Sequence, residues 1–311
     1  MKIKDKIMKN KPLLGLIIFS IIIAMINPRF SSVINILNIF RQTSINAVIA
    51  VGMTLVILTG GIDLSVGSIL ALTGASASIL LKNNVNSILV LIIVILLGAL
   101  LGYLNGVVIS RLKLQPFIIT LVSMTILRGL TLVITDGRPI TVGNITGSFE
   151  FLGNGYILKI PFPVILMIII YACMYYILNH TRFGRYIYAI GGNEETTKLS
   201  GINTNKIKTL AYVLSGVFAT IAGLVITSRL ASAQPTAGSG YELDAIAAVV
   251  LGGTSLSGGI GSIGGTLIGA LIIGVLSNAL NLLNVTAYYQ MIIKGLVIFI
   301  AVIIDIKSNK N

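Results

Sequence analysis

TRFGRYIYAIGGNEETTKLSGINTNKIK, residues 181–208, is the longest polar interval between two strongly apolar runs, and Arg182, Arg185, Lys198, Lys206 and Lys208 all fall within it. The sequence on either side sets the fold class. The 311-residue chain is 55% hydrophobic and only 10% charged, with a mean hydropathy of +0.99. Soluble domains average about 25% charged residues, so this composition leaves too little charge to solvate a globular surface. A membrane helix needs about 20 predominantly apolar residues to cross roughly 30 Å of hydrocarbon, and the chain offers many such runs. It lacks the short alternating segments of an outer-membrane barrel. An all-α polytopic membrane protein is expected, and a polar segment fixed between spans is placed to touch something soluble.

Ten apolar runs stand out, at 12–26, 45–59, 64–81, 87–109, 117–135, 162–179, 209–228, 243–256, 263–283 and 289–304. About ten transmembrane helices are therefore predicted. The run at 64–81 is rich in Ser, Gly and Thr and that at 243–256 is short, so both are candidates for broken or re-entrant helices. With the N-terminus inside, the N-terminal lysines, Arg111, Lys113, the basic set of 181–208, Lys307 and Lys310 share one side. Arg29, Arg41, Lys82, Arg138, Lys159 and Arg229 fall on the other. Cytoplasmic loops carry the Lys/Arg excess of membrane proteins, which predicts cytoplasmic termini, and Asn27-Pro28-Arg29-Phe30 after the first run offers no small-residue cleavage site, so an uncleaved first span is expected. The same bias accounts for the net charge of +13 without a nucleic-acid partner. The sequence shows no separate soluble domain, and residues 1–311 read as one transmembrane domain.

Ionisable groups inside spans are costly and call for a functional reading. Here they are Asp63, Arg128, Asp244 and Lys294. Asp63 sits with Ser65 in LTGGIDLSVGS, where Gly60, Gly61 and Gly67 interrupt an apolar run. Asp244 sits in GYELDAIAAVVLGGTSLSGGIGSIGG, interrupted by Gly252 and Gly253. Two glycine-interrupted segments, one in each half, point to a transport path; packing through small residues is the plainer reading. No enzyme constellation is present. His180 is the only histidine, and Cys173 the only cysteine. No G-x-x-x-x-G-K-[ST] phosphate loop occurs, so the chain is not expected to hydrolyse ATP by that route.

Within the opening interval, Glu195-Thr196-Thr197-Lys198-Leu199-Ser200-Gly201 resembles the E-A-A-x-x-x-G loop of bacterial ABC importer permeases, with Thr196 and Thr197 in place of alanines. In that family a short cytoplasmic helix at this loop fits a groove on the ATPase subunit. The likeness extends along the chain through 38–75, 115–130, 135–140, 181–203, 241–272 and 281–305. Together these segments resemble the ribose-type monosaccharide ABC permeases.

The resemblance implies a permease in the bacterial inner membrane, paired as a homodimer or with a paralogue. It implies a cytoplasmic ATPase and a periplasmic or lipid-anchored sugar-binding protein as partners, with no cofactor on this chain and ATP and magnesium on the ATPase. It assigns Gly192, Asn193, Glu194, Glu195 and Gly201 to ATPase contact. Gly60, Gly61, Asp63, Ser65, Asp244, Gly252 and Gly253 fall to the gate or path. Asp136, Gly137, Arg138 and Pro139 fall to binding-protein docking. Ribose leads as solute, with galactosides, autoinducer-type sugars and nucleosides as alternatives. A reading from another class, an ion-coupled transporter using Asp63 or Asp244, predicts uptake by this chain alone.

Overall fold

The computed structural model describes residues 11–142 and 147–308. The lysines before Lys11, and Lys310, on which part of the charge argument rests, lie outside the described residues. Thirteen α-helices occur among the described residues: α1 (Lys11–Ile26), α2 (Val33–Leu58), α3 (Val66–Lys82), α4 (Ser87–Leu112), α5 (Pro116–Thr135), α6 (Ser148–Asn154), α7 (Phe162–His180), α8 (Arg182–Gly192), α9 (Glu194–Leu199), α10 (Thr204–Leu230), α11 (Tyr241–Leu251), α12 (Ile263–Leu282) and α13 (Ala287–Ser308). Two short antiparallel ribbons complete the set: β1 (Ile140–Thr141) with β4 (Ser232–Ala233), and β2 (Tyr156–Ile157) with β3 (Ile160–Pro161).

Each of the ten apolar runs contains a helix. Six of these helices, α2, α4, α5, α7, α10 and α12, are long and apolar enough to cross a membrane. Among the described residues, six helices therefore qualify by length and composition, against about ten spans expected from the runs. One of the four others, α11, falls short for a geometric reason. Its 11 residues, at about 1.5 Å of rise each, reach only about half of a hydrocarbon layer. The chain reaches α11 through the non-helical stretch 231–240 instead.

α2 is the central element, buried almost without interruption from Thr43 to Leu58 and packed against α7, α10, α11 and α12. It starts at Val33, well before the apolar run at 45–59. Two of the polar side chains that shorten the apolar run, Asn35 and Arg41, find partners in the fold. Asn35 and Asn278 exchange two hydrogen bonds of 3.0 and 2.9 Å. The Arg41 guanidinium donates to the Gly153 carbonyl at 2.8 Å and to Asn154 Oδ1 at 2.6 Å. Around this centre, α4 and α5 turn apolar faces outward, including Ile92, Leu96, Ile118 and Val122, the inversion of a soluble surface that lipid requires.

α4 and α10 cross at very short range because of one glycine ladder. Gly98, Gly102 and Gly106 recur every four residues on one face of α4. A Cβ at Gly106 would come within 2.8 Å of Thr209 Cα, and one at Gly102 would meet the Tyr212 carbonyl. Backbone-to-backbone approach of this kind is the usual source of helix association in membranes.

Close contacts sort the connections into two ends. Gly61 reaches Pro116, and Gly191 reaches Leu58 and Gly259, at the end that carries the polar loop. Val142 bonds to Ala231, and Gly153 to Ser228, at the opposite end.

Candidate functional site

The first broken segment is the turn between α2 and α3. Gly60 takes φ +79°, a conformation that favours glycine, and reverses the chain after Thr59. Asp63 then lies fully buried. Its Oδ1 accepts from the Ser65 backbone N–H at 3.0 Å and from Ser65 Oγ at 2.5 Å; its Oδ2 accepts from Ser215 Oγ at 2.8 Å. Ser65 Oγ in turn accepts from Asn105 Nδ2 at 3.0 Å, and Ser123 Oγ donates to Asn105 Oδ1 at 2.5 Å. One carboxylate thus ties the turn to α4, α5 and α10. Its charge also sits at the N-terminus of α3, where the helix dipole favours an anion.

The second broken segment is 231–240 followed by α11. Non-helical backbone at membrane depth must have its polar groups met by protein, and Arg128 meets them here. Its Nη1 donates to the Pro235 carbonyl at 2.8 Å and the Ala237 carbonyl at 2.9 Å. On α11, Asp244 is 5% exposed and accepts from Lys294 Nζ at 2.8 Å and Asn46 Nδ2 at 3.3 Å. α11 ends at Gly252, whose backbone lies against that of Gly265; Gly253, at φ +85°, turns the chain back.

The two predicted segments come together, but their carboxylates do not. A Cβ on Gly238 would lie 2.6 Å from the Gly67 carbonyl and one on Gly258 would lie 3.2 Å from Gly60 Cα. Asp63 and Asp244 share no hydrogen-bond partner among the described residues. Lys294, which the sequence marks as an ionisable group in a span, proves to be the partner of Asp244.

The polar interval folds as α8, α9 and the first turn of α10. Asn193 caps α9, its Oδ1 accepting from the Thr196 N–H at 2.9 Å, and Glu194 pairs with Lys208 at 2.7 Å. Gly201, at φ +80°, closes the turn. α9 therefore projects as a short capped knob. Thr197 faces inward, while Glu195 is exposed and Leu199 is 88% exposed.

α8, which leads into this knob, is joined to both broken segments. The Gly259 N–H donates to the Leu58 carbonyl at 3.1 Å, and a Cβ on Gly258 would be 3.1 Å from Gly191 Cα. Tyr188 of α8 donates its hydroxyl to the Gly261 carbonyl at 3.0 Å; partial burial raises its pKa, so the donor stays protonated. Gly191, Gly258 and Gly259 are absent from the sequence-predicted set, although the GG pairs at 191–192 and 258–259 carry the signal. Ser215 and Asn105 carry none, being single polar residues in apolar runs.

Asp136, Gly137, Arg138 and Pro139 are exposed at the opposite end of the bundle, where Asp136 (φ +53°) and Gly137 (φ +65°) close α5. Among the described residues no three His, Cys, Asp or Glu side chains gather as a metal site requires.

Broken apolar helices packed on one another, with a projecting polar knob at one end, describe a transport permease. Residues 35–302 match the family described as branched-chain amino acid transport system, permease component, and the chain belongs to that family. It is 58% identical to the ribose import permease protein RbsC of Haemophilus influenzae, over 96% of this chain and 93% of that protein. Identity is 54% to the protein of the same name from Escherichia coli K12, over 98% and 96% of the two chains. It is 53% to that of Bacillus subtilis, over 97% and 94%. No solved structure matches the chain.

Proposed function

We propose that this chain is the permease subunit of an ATP-driven importer that carries ribose across the bacterial inner membrane. The observation that carries the reading is identity of 53–58% to ribose import permeases along almost the whole chain. Galactosides, autoinducer-type sugars and nucleosides remain the alternative solutes.

In this reading the ten apolar helices make about ten crossings, α3 and α11 incompletely, with both termini and the α8–α9 knob in the cytoplasm. The basic residues of that loop support the orientation. Residues 1–311 act as a single permease domain. A cytoplasmic ATPase binds ATP and magnesium and grips α9 through Gly192, Asn193, Glu194, Glu195 and Gly201. Its closure moves the knob, and the glycine contacts at Gly60, Gly191 and Gly258 pass that movement to the broken segments. Gly61, Asp63, Ser65, Asp244, Gly252 and Gly253 shape the gate they form. Asp136, Gly137, Arg138 and Pro139 meet a periplasmic or lipid-anchored sugar-binding protein. The permease pairs with a second copy or a paralogue through an apolar face, and the chain itself needs no cofactor.

The test is ATP hydrolysis in proteoliposomes holding this chain and its ATPase, with and without ribose-loaded binding protein. Stimulation by the loaded protein supports the importer. No stimulation, together with uptake by the chain alone along an ion gradient, would replace it with an ion-coupled transporter. Glu195→Lys, which reverses charge at the exposed knob, is expected to abolish uptake while membrane insertion stays normal; ribose uptake at the wild-type rate would refute the role of α9.

A further inference from the structure

α4 and α10 meet at the end of the bundle that carries the polar loop, where Ser110 and Thr209 share a hydrogen bond of 2.9 Å. Beside that bond a groove of about 420 Å³ runs between the two helices. Its rim is basic. Arg111 stands in the last turn of α4 and Lys206 in the first turn of α10, and both line the groove together with Asn205. Below the rim the lining turns apolar. Tyr103 and Val107 share the Arg111 face of α4 at intervals of four residues, and Leu210 and Val213 follow Lys206 on α10 at helical spacing. The stretch from Arg111 back to Tyr103 covers about 12 Å at roughly 1.5 Å of rise per residue.

The two cations are not spent on acids. The ion pairs among the described residues are Lys208 with Glu194 and Lys294 with Asp244. Neither uses Arg111 or Lys206, and no acid lines the groove. The Lys/Arg excess of cytoplasmic loops accounts for basic residues at this end. It does not account for their convergence, from two helices, on one groove with an apolar floor. Positive charge above an apolar channel complements a phospholipid, with its phosphate at the surface and its acyl chain below. Basic pockets between membrane helices on the cytoplasmic side bind anionic head groups. The volume lies within the roughly 300–1,000 Å³ of small-ligand sites, enough for a head group and the upper part of one chain. Charge then selects among lipids. The ammonium of phosphatidylcholine brings a like charge towards Arg111 and Lys206, whereas phosphatidylglycerol brings none.

We propose that this groove binds an anionic phospholipid of the cytoplasmic leaflet, held at its phosphate by Arg111, Lys206 and Asn205 and along its chain by Val107, Leu210 and Val213. The inference takes its orientation from the importer reading, which puts this end in the cytoplasm. The site adjoins the knob, because Asn205 also lines the recess formed with Lys198 and Gly201. A bound head group therefore sits against the loop that faces the ATPase.

The chain contains no tryptophan, so Tyr103→Trp places a single reporter at the membrane-side end of the groove. Tyr103 is 46% exposed, which leaves room for the larger ring. The full chain is reconstituted in vesicles of phosphatidylcholine and phosphatidylglycerol, with bromine on the acyl chains of one lipid or the other. Bromine there quenches only tryptophan at membrane depth, so a soluble partner does not disturb the reading. The groove is expected to prefer phosphatidylglycerol about 25-fold, at about fivefold for each basic residue. Arg111→Gln and Lys206→Gln should each lower that preference about fivefold, and the double variant should bring it close to unity. Equal quenching by the two lipids with both cations in place, or an undiminished preference in the double variant, would overturn the site. So would relief of quenching by inorganic phosphate beyond that given by sodium chloride of equal ionic strength, which would make this a free-anion site. Loss of the preference when the ATPase is added would also overturn it and give the two cations to that subunit. Quenching needs neither ribose nor a binding protein, so the two readings fail separately. An unstimulated ATPase with the preference intact removes only the importer reading; a stimulated ATPase with no preference removes only the lipid site.

Discussion

Asp63 and Asp244 look alike in the sequence, each an acid in an apolar segment broken by glycines, yet the fold treats them as opposites. Asp63 has no exposure, three hydrogen-bond donors and no ion pair among the described residues. Asp244 has one cation, one carboxamide and a cavity at its side. A buried charge survives only when hydrogen-bonded or paired, and the chain uses one solution at each break. The first suits a turn that must keep its shape while the helices around it move. The second sets an ion pair beside a cavity. Facing one burial cost, the two acids meet it by different means, hydrogen bonds alone at Asp63 and a cation at Asp244.

The largest effect that could break this contrast is expected from Asp63→Ala. It orphans the Ser65 N–H, Ser65 Oγ and Ser215 Oγ together, at about 1–3 kcal/mol for each buried unsatisfied group. That is a large share of the roughly 5–15 kcal/mol by which a folded chain is stable. Thermal unfolding in detergent should show a steep drop or no recoverable protein; a melting temperature equal to wild type would remove the structural role. Adding Ser215→Ala relieves one orphan, but the Ser65 N–H cannot be deleted, so rescue stays partial.

Asp244→Ala should cost less stability, because the Lys294 side chain is 24% exposed and can be hydrated from the cavity. The double variant Asp244→Ala/Lys294→Ala removes both charges, and its stability should return most of the way to wild type. A double-mutant cycle on melting temperature measures the difference between the two acids directly. Equal rescue at both sites would erase the contrast, and failure of the Asp244 pair to rescue would show that Asn46 depends on the carboxylate more than Lys294 does.

How far these differences are legible in the sequence depends on the kind of residue. The apolar runs, the polar loop and both glycine-broken segments are visible because composition and glycine spacing act locally. Gly201 as the stop of α9 is visible for the same reason, since φ > 0 favours glycine. The start of α2 is not. Asn35 and Arg41 look like breaks until Asn278, Gly153 and Asn154 are placed beside them from more than a hundred residues away. Ser215, Asn105 and Ser123 stay silent for that reason as well: a lone hydroxyl or amide in an apolar run gains meaning only from its partner. The shortness of α11 is hidden because hydropathy sees 243–256 as one weak run, while the fold divides it into an 11-residue helix and a glycine turn.

The smallest expected effect sharpens the contrast from a third acid. Glu194 pairs with Lys208 at 2.7 Å, nearly the same length as the 2.8 Å of Asp244 with Lys294. Distance is therefore equal and environment differs: the Glu194 side chain is 42% exposed and that of Asp244 only 7%. An exposed pair contributes about 0–1 kcal/mol, so Lys208→Met should shift the melting temperature little. Raising salt from 0.1 to 1 M shortens the screening length from about 10 to about 3 Å and should reduce even that small loss. The Asp244→Ala penalty, set inside the bundle, should hardly change over the same salt range. Stability curves of the two variants at both salt concentrations decide the matter. Equal salt sensitivity would mean that water reaches Asp244 as freely as it reaches the knob, and that the cavity wall is no drier than the surface.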